Sequence, residues 1–317
     1  MSSKSDLDFK VFSAPLARDD FKAFYREQGT ALLARYGVVL VGAFVITPSA
    51  AAVTYFLVLP RYFADYSPLI SIWLLAVVVC MAVATAAWVF VFRREVRLAR
   101  FCRVNNLLYR SRVQNLRAIG APFRNNLNSI TAPRVSGMFD NEKFTLGLHA
   151  IINDRDGGKA GVYTPFVFAR VGLPRPVPHI ILLNKKSRII PTHLSARRNA
   201  TLKLEGDFAE KFTLICPQNY ERDALYIFTP DVIAAIYELA HDGEIELVDD
   251  QLFLYTRDRK IFHSPDKMMA LFGVLRQLNR RFDRQTKRYR DDRAARKSEN
   301  VATIAKRLKA RRFAGQV

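Results

Sequence analysis

The residues in this chain that could do acid–base or metal chemistry are five histidines and a scatter of carboxylates, and their spacing argues against both. His149, His179, His193, His241 and His263 stand apart from one another. None has a second His or Cys at the short interval that closes a tetrahedral metal site. His149 falls on the alternate face of a strand pattern, the face open to solvent in a half-buried sheet. His241 sits near a helix C-terminus, where a cation is favourable. Asp249 and Asp250 are adjacent, so on a strand they would point to opposite faces and suit a turn better than a paired acid and base. Asp154-Arg-Asp-Gly-Gly158 opens like a calcium loop but lacks the further ligands and the closing Glu, and reads as a hairpin turn. Ser195 and Ser264 lie in loop and cap contexts without a nucleophile elbow, and there is no P-loop. The sequence therefore names no catalytic, cofactor-binding or metal-ligating residue. A site assembled from dispersed residues is the alternative it leaves open. Cys80, Cys102 and Cys216 are too few for a disulfide framework and read as small buried hydrophobes.

Positive charge is the remaining signal. The 317 residues carry a formal net charge of +20. One cluster is Arg93, Arg94, Arg97, Arg100 and Arg103. A second is the tail from Arg280, with residues 271–317 holding fifteen Lys or Arg against four acids. Within that tail, Lys306, Arg307, Lys309, Arg311 and Arg312 alternate with Val301, Ile304, Ala305 and Leu308 as a short basic amphipathic helix would. Near an anionic leaflet each such cation contributes about 1 kcal/mol of attraction. Both clusters are candidate contacts for anionic lipid headgroups. Nucleic acid is the alternative partner for the same charge, although no nucleic-acid module or stacking motif accompanies it.

What must position these groups is a pair of apolar runs. Tyr36–Leu59 and Leu69–Phe92 contain no charged residue. Each exceeds the ~20 residues that cross a hydrocarbon core. The link 60–68 carries one Arg and one Asp, whereas the second run is followed at once by arginines. Positive residues at span ends stay cytoplasmic. The expectation is a transmembrane hairpin with both termini cytoplasmic and a short external loop.

After the spans, residues 93–120 predict a basic juxtamembrane helix. From Gly137 the period changes to two, with Phe144, Leu146, Leu148 and Ala150 on one face. Val162–Val171, His179–Leu183, Thr201–Leu204, Lys211–Cys216 and Ala224–Phe228 also read as strands, the first two separated by a proline-rich bend. Thr229-Pro230-Asp231 opens a helix. Glu244–Val248 and Leu252–Tyr255 flank Asp249-Asp250 as a hairpin. Ser264-Pro265-Asp266 opens a second helix, with Met268, Leu271, Phe272, Leu275, Leu278 and Phe282 on one side. Residues 137–282 thus form an α+β domain with a mainly antiparallel sheet and two helices, followed by a basic tail, 283–317.

The block Leu204-Glu-Gly-Asp-Phe208, Phe212, Tyr220, Asp223-Ala-Leu-Tyr-Ile-Phe-Thr-Pro-Asp231 and Val248-Asp-Asp-Gln-Leu-Phe-Leu-Tyr255 resembles a bacterial family of two-span membrane proteins known as domain of unknown function 3137. The resemblance covers roughly 40–280. It implies an N-terminal hydrophobic hairpin and a cytoplasmic β-rich region; it supplies no activity and no functional residues. The proline-rich bend and the basic tail have no counterpart in it. The expected role is a non-catalytic scaffold that holds a protein-binding domain at the membrane, by way of a protein partner or self-association. A membrane-bound enzyme and a tether for nucleic acid are the alternatives. No cofactor is expected.

Overall fold

The computed structural model of the chain describes residues 7–41, 67–123, 129–153, 162–187, 189–190, 199–204, 206–239 and 243–289. Most of the first apolar run, the link after it, Asp154–Gly158, His193, Ser195, His241 and the tail beyond 289 lie outside the described residues. The protein is α+β, with antiparallel strand pairs and helices. It divides into two compact units. The first comprises the chain up to Ala118 with Phe123–Ala169 and Arg257–Gly273; the second comprises Ile119–Pro122, Arg170–Thr256 and the chain from Val274.

The first unit begins with α1 (Lys10–Ser13), α2 (Arg18–Val41) and α3 (Ser67–Val104). Gly29 interrupts α2 at φ +28°, ψ −109°, a backbone setting that glycine adopts without a Cβ penalty. At 38 residues, α3 is about 57 Å long. Its segment Leu75–Val104 is the one described helix long and apolar enough to cross a membrane. The second apolar run and the start of the basic segment are therefore one continuous helix. The expected helix over 93–120 holds only to Val104. Asn106 turns left-handed at φ +55°, the Leu107 amide donates to the Cys102 carbonyl at 2.7 Å, and the Asn106 amide donates to Arg103 at 3.3 Å. That is a Schellman stop. The chain then forms β1 (Leu108–Arg110) and β2 (Val113–Gln114), both antiparallel to β3 (Ser129–Phe139). β3 pairs in turn with β4 (Glu142–Asn153).

β5 (Val162–Asn184) spans 23 residues and contributes to both units. It runs through the expected proline bend. Pro174, Pro176 and Pro178 lie two apart, so the three missing N–H donors fall on one edge of the strand and the other edge keeps its donors. In the second unit β5 pairs with β7 (Phe212–Pro217), β7 with β6 (Asn199–Leu202), and β8 (Glu244–Thr256) with β5. α4 (Gly206–Lys211), α5 (Glu221–Ile227) and α6 (Pro230–Leu239) complete it. The expected strand at Ala224–Phe228 is instead largely α5. Glu221 and Asp223 in the first turn favour a helix start, and Ala224 and Ile227, three apart, are both buried. The hairpin expected at Asp249-Asp250 fits β8: Asp249 turns at φ +52°, Asp249 and Asp250 are exposed between buried flanks, and the Tyr255 hydroxyl meets Glu246 nine residues back at 2.7 Å, which a straight strand at about 3.3 Å per residue would hold about 30 Å away. α7 (Pro265–Arg288) begins where the Ser264-Pro265-Asp266 signal puts it. All six residues expected on its apolar side are buried.

Candidate functional site

Two carboxylates that alternate along β8 form the most buried polar cluster in the second unit. Glu244 and Glu246 are both 0 % exposed. At a spacing of two they share a face of the strand. The Ile189 amide donates to Glu244 Oε1 and Oε2 at 3.0 and 3.1 Å, and the Ile190 amide to Oε2 at 2.7 Å. Glu246 is ringed by donors: the Ala121 amide at 2.9 Å from each oxygen, the Tyr255 hydroxyl at 2.7 Å from Oε2, and His179 Nε2 at 2.6 Å from Oε1. Charge-assisted bonds of this kind recover the cost of burying a carboxylate. His179 keeps 23 % of its side chain exposed, so a buried carboxylate orients an imidazole whose edge meets solvent. That is the geometry of a positioned base. The oxygens of Glu246, however, are occupied in holding backbone and tyrosine.

The sequence reading missed both glutamates. Glu-Ile-Glu-Leu-Val looks like a strand with one wet face, but Ile245 and Leu247 on the opposite face are also 0 % exposed. The signal that could have found them is a pair of acids embedded in an otherwise apolar stretch, with Tyr255 downstream to donate to one of them.

In the first unit, His149 is a core residue, which corrects its expected place on an open face. It is 0 % exposed, lies against Phe123 at 4.7 Å, Phe166 at 5.3 Å and Phe168 at 6.3 Å, and its Nδ1 is 2.8 Å from the Thr131 hydroxyl. Burial among these rings lowers its pKa from 6.5 to about 4. His263, at the end of a short 3-10 turn, is also lowered, by burial and then by the charge of Arg94. Of the cysteines, Cys102 and Cys216 are buried as expected, and Cys80 lies exposed on the apolar helix. Burial pushes the Cys216 thiol up to about 11. Among the described residues no group of three His, Cys, Asp or Glu is placed to hold a metal.

The arginines on α3 separate into two sets. Arg93 and Arg97 are exposed, and the Arg94 guanidinium lies 3.8 Å from the centre of the Phe90 ring. Arg100 instead clamps the N-terminal segment. Its Nη1 donates to the Pro15 carbonyl at 2.8 Å and to Asp20 at 3.1 Å; its Nη2 donates to Ala14 at 2.7 Å and to the Val11 carbonyl. Arg103 pairs with Glu27 at 3.0 Å. Arg100 and Arg103 therefore serve the fold, and Arg93, Arg94 and Arg97 are the members of this cluster placed beside the apolar stretch. Lys306, Arg307, Lys309, Arg311 and Arg312 lie outside the described residues.

No protein-family model matches the chain, and no curated protein does. A solved structure, the mycobacterial trehalose monomycolate transport factor A, is similar to it at a TM-score of 0.40 and 9 % identity, over 61 % of this chain and 92 % of that one.

Proposed function

We propose that the protein is a non-catalytic scaffold anchored in a bacterial inner membrane by a two-span hairpin, with both termini cytoplasmic and a folded α+β part that binds another protein. The observation that carries this reading is how α3 is used along its length. From Leu75 to Val91 it presents bare aliphatic side chains: Leu75, Val78 and Val83 are each more than 60 % exposed. From Val96 to Cys102 the same helix is packed, with Val96, Leu98, Ala99, Phe101 and Cys102 nearly solvent-free. An apolar surface of that extent is stable in lipid and not in water.

The N-terminal segment supports the hairpin. Phe9 and Phe12 stack on Phe101 at 5.3 and 5.2 Å, and Arg100 holds the carbonyls that follow α1. Residues before the first apolar run thus pack on residues after the second, which supports a second crossing between them if α3 spans the bilayer. Half-burial along α3 at Val77, Met81, Thr85, Trp88 and Phe92, spaced by three and four, marks one face of the helix as partly covered. The antiparallel first span would lie there. The resemblance to the two-span family of unknown function points the same way. Arg93, Arg94 and Arg97 would then meet anionic headgroups.

Support for a scaffold role comes from Glu244 and Glu246, whose oxygens are committed to backbone amides and Tyr255. The test is affinity purification of the full chain in mild detergent. Recovery of a stoichiometric protein partner is the expected result, and its absence at endogenous expression overturns the reading. A membrane-bound enzyme is the second reading, favoured by the His179–Glu246 pair. His179→Ala leaving the cellular phenotype of a deletion uncomplemented, with an unchanged melting curve, would decide for it.

A further inference from the structure

We propose that the turn Arg259–Phe262 rests on the headgroup layer of the membrane, so that Arg259 and Lys260 join the arginines of α3 in binding the phosphates of anionic phospholipids. This rests on the reading of α3 as a membrane span, and it gives the folded part of the first unit a face toward the lipid.

Two approaches set the level of this turn. Phe9 lies against Phe101 of α3 at 5.3 Å and against Phe272 of α7 at 5.9 Å, so Phe101 and Phe272 stand side by side around it. Two turns back along α3, about 10 Å from Phe101, is Arg94. His263, a similar distance back from Phe272, lies within reach of the Arg94 charge. The start of α7 therefore runs beside the end of α3, and the turn that precedes it is level with Arg94. At that level α3 passes from bare to packed: Phe90 and Val91 are 55 % and 42 % exposed, whereas Glu95 and Val96 are buried. In a helix that spans a bilayer, this is where hydrocarbon gives way to headgroups.

The turn itself is built to show charge. Ile261 and Phe262 are buried and hold it to the fold, while Arg259, Lys260 and His263 are exposed. Asp258 is taken up by the Lys260 amide at 3.0 Å and by the Lys267 ammonium. Among the described residues no carboxylate lies within ion-pair distance of Arg93, Arg97 or Arg259, and the exposed acid at this end of α7 is Asp266. Cations held at this depth fall within the field of an anionic leaflet, which fades within a Debye length. Position at the end of the apolar stretch selects lipid phosphate over other polyanions, because headgroups already occupy that level.

The full chain, with its three natural cysteines replaced and Met269→Cys carrying a fluorophore, is placed in nanodiscs of phosphatidylcholine alone or with about 30 % phosphatidylglycerol. Position 269 is exposed on the first turns of α7. A nitroxide on the lipid headgroup is the quencher. Quenching is expected to rise about twofold in the anionic discs, and Arg259→Glu with Lys260→Glu should abolish the rise. Both side chains are exposed, so circular dichroism should match the parent; if it does not, Arg259→Gln with Lys260→Gln should still lose the rise. Equal quenching in the two kinds of disc overturns the proposal, and so does a rise that the charge variants keep. Loss of the quenching to an oligonucleotide at equal phosphate concentration makes this a general polyanion surface and also overturns it. Trp88 in a Trp73→Phe background, quenched by lipids brominated on the acyl chain, reports separately on α3. Trp88 quenched with position 269 unaffected sinks the seat and leaves the span standing; neither quenched sinks both.

Discussion

His149 shows how far a side chain's chemistry is set by what surrounds it. A neutral imidazole fits between Phe123, Phe166 and Phe168 with Thr131 on one nitrogen, and a charged one does not. Its folded pKa of about 4 lies below the unfolded 6.5. The unfolded chain therefore binds the proton first, and the stability His149 provides is full above 6.5 and is lost as pH falls toward 4. The difference corresponds to a loss on the order of 3 kcal/mol across that window. Denaturant melts of the full chain in detergent between those pH values should show this slope, and His149→Phe should flatten it. An equal slope in both proteins would mean the proton goes elsewhere. Glu246 makes the opposite case, a buried acceptor that is wanted. Removing it leaves the Ala121 amide and the Tyr255 hydroxyl buried without their acceptor. Glu246→Ala should cost about 3–5 kcal/mol and Glu246→Gln less, since the amide keeps an acceptor oxygen. A melt of Glu246→Ala within about 1 kcal/mol of wild type would show that water takes the place of the carboxylate.

Among the elements, α3 has the most to explain, because one helix passes from bare to packed. The clamp by Arg100 is what ties the N-terminal segment to it. Arg100→Ala should free α1 and the turn after it, at a cost of about 2 kcal/mol for the charge-assisted bonds. Limited proteolysis should then cut between residues 7 and 20 well before the sheet is attacked; an unchanged cleavage pattern would mean Phe9 and Phe12 hold the segment unaided. The elements that were legible beforehand are those with a long, single-period signal. The apolar side of α7 was readable because six residues at helical spacing cannot be arranged otherwise, and the Thr229-Pro230-Asp231 start of α6 because proline at a first helical position fits only there. α5 was misread because Ala-Leu-Tyr-Ile-Phe is too short to show a period, and its helix depends on Glu221 and Asp223 before it. β5 reads as two strands in the sequence because prolines are ordinary turn signals, whereas its three prolines fall on one edge of a single strand range. The turn at Asp249-Asp250 is legible because two adjacent acids between apolar runs mark a fold-back, and Asp249 takes φ +52° there. The candidate site was the least legible part. His179 could be named but not paired, because its partner is 67 residues away and looks like a surface acid.

For the molecule as a whole, topology is a matter of parity. Residues 7–20 and 96–102 touch, so in the proposed hairpin the chain between them leaves and re-enters the same compartment. If α3 alone crossed, the N-terminal segment would be stranded on the far side from Phe101 and Arg100. That distinction is measurable with single cysteines in a background where Cys80, Cys102 and Cys216 are replaced. Asp65→Cys lies in the link between the apolar runs, Ser5→Cys ahead of α1, and Met269→Cys at an exposed position on α7. In intact spheroplasts a membrane-impermeant maleimide should modify position 65 alone, and positions 5 and 269 only after lysis. Labelling of position 5 from outside, with 269 protected, would mean a single crossing and would overturn the hairpin. Protection of all three until lysis would leave α3 with no lipid to cover Leu75, Val78 and Val83, and would require a protein partner along that helix instead. Modification of 65 with 5 and 269 protected would fix the arginines at 93, 94 and 97 on the inner leaflet, where their charge and the apolar stretch before them are both satisfied.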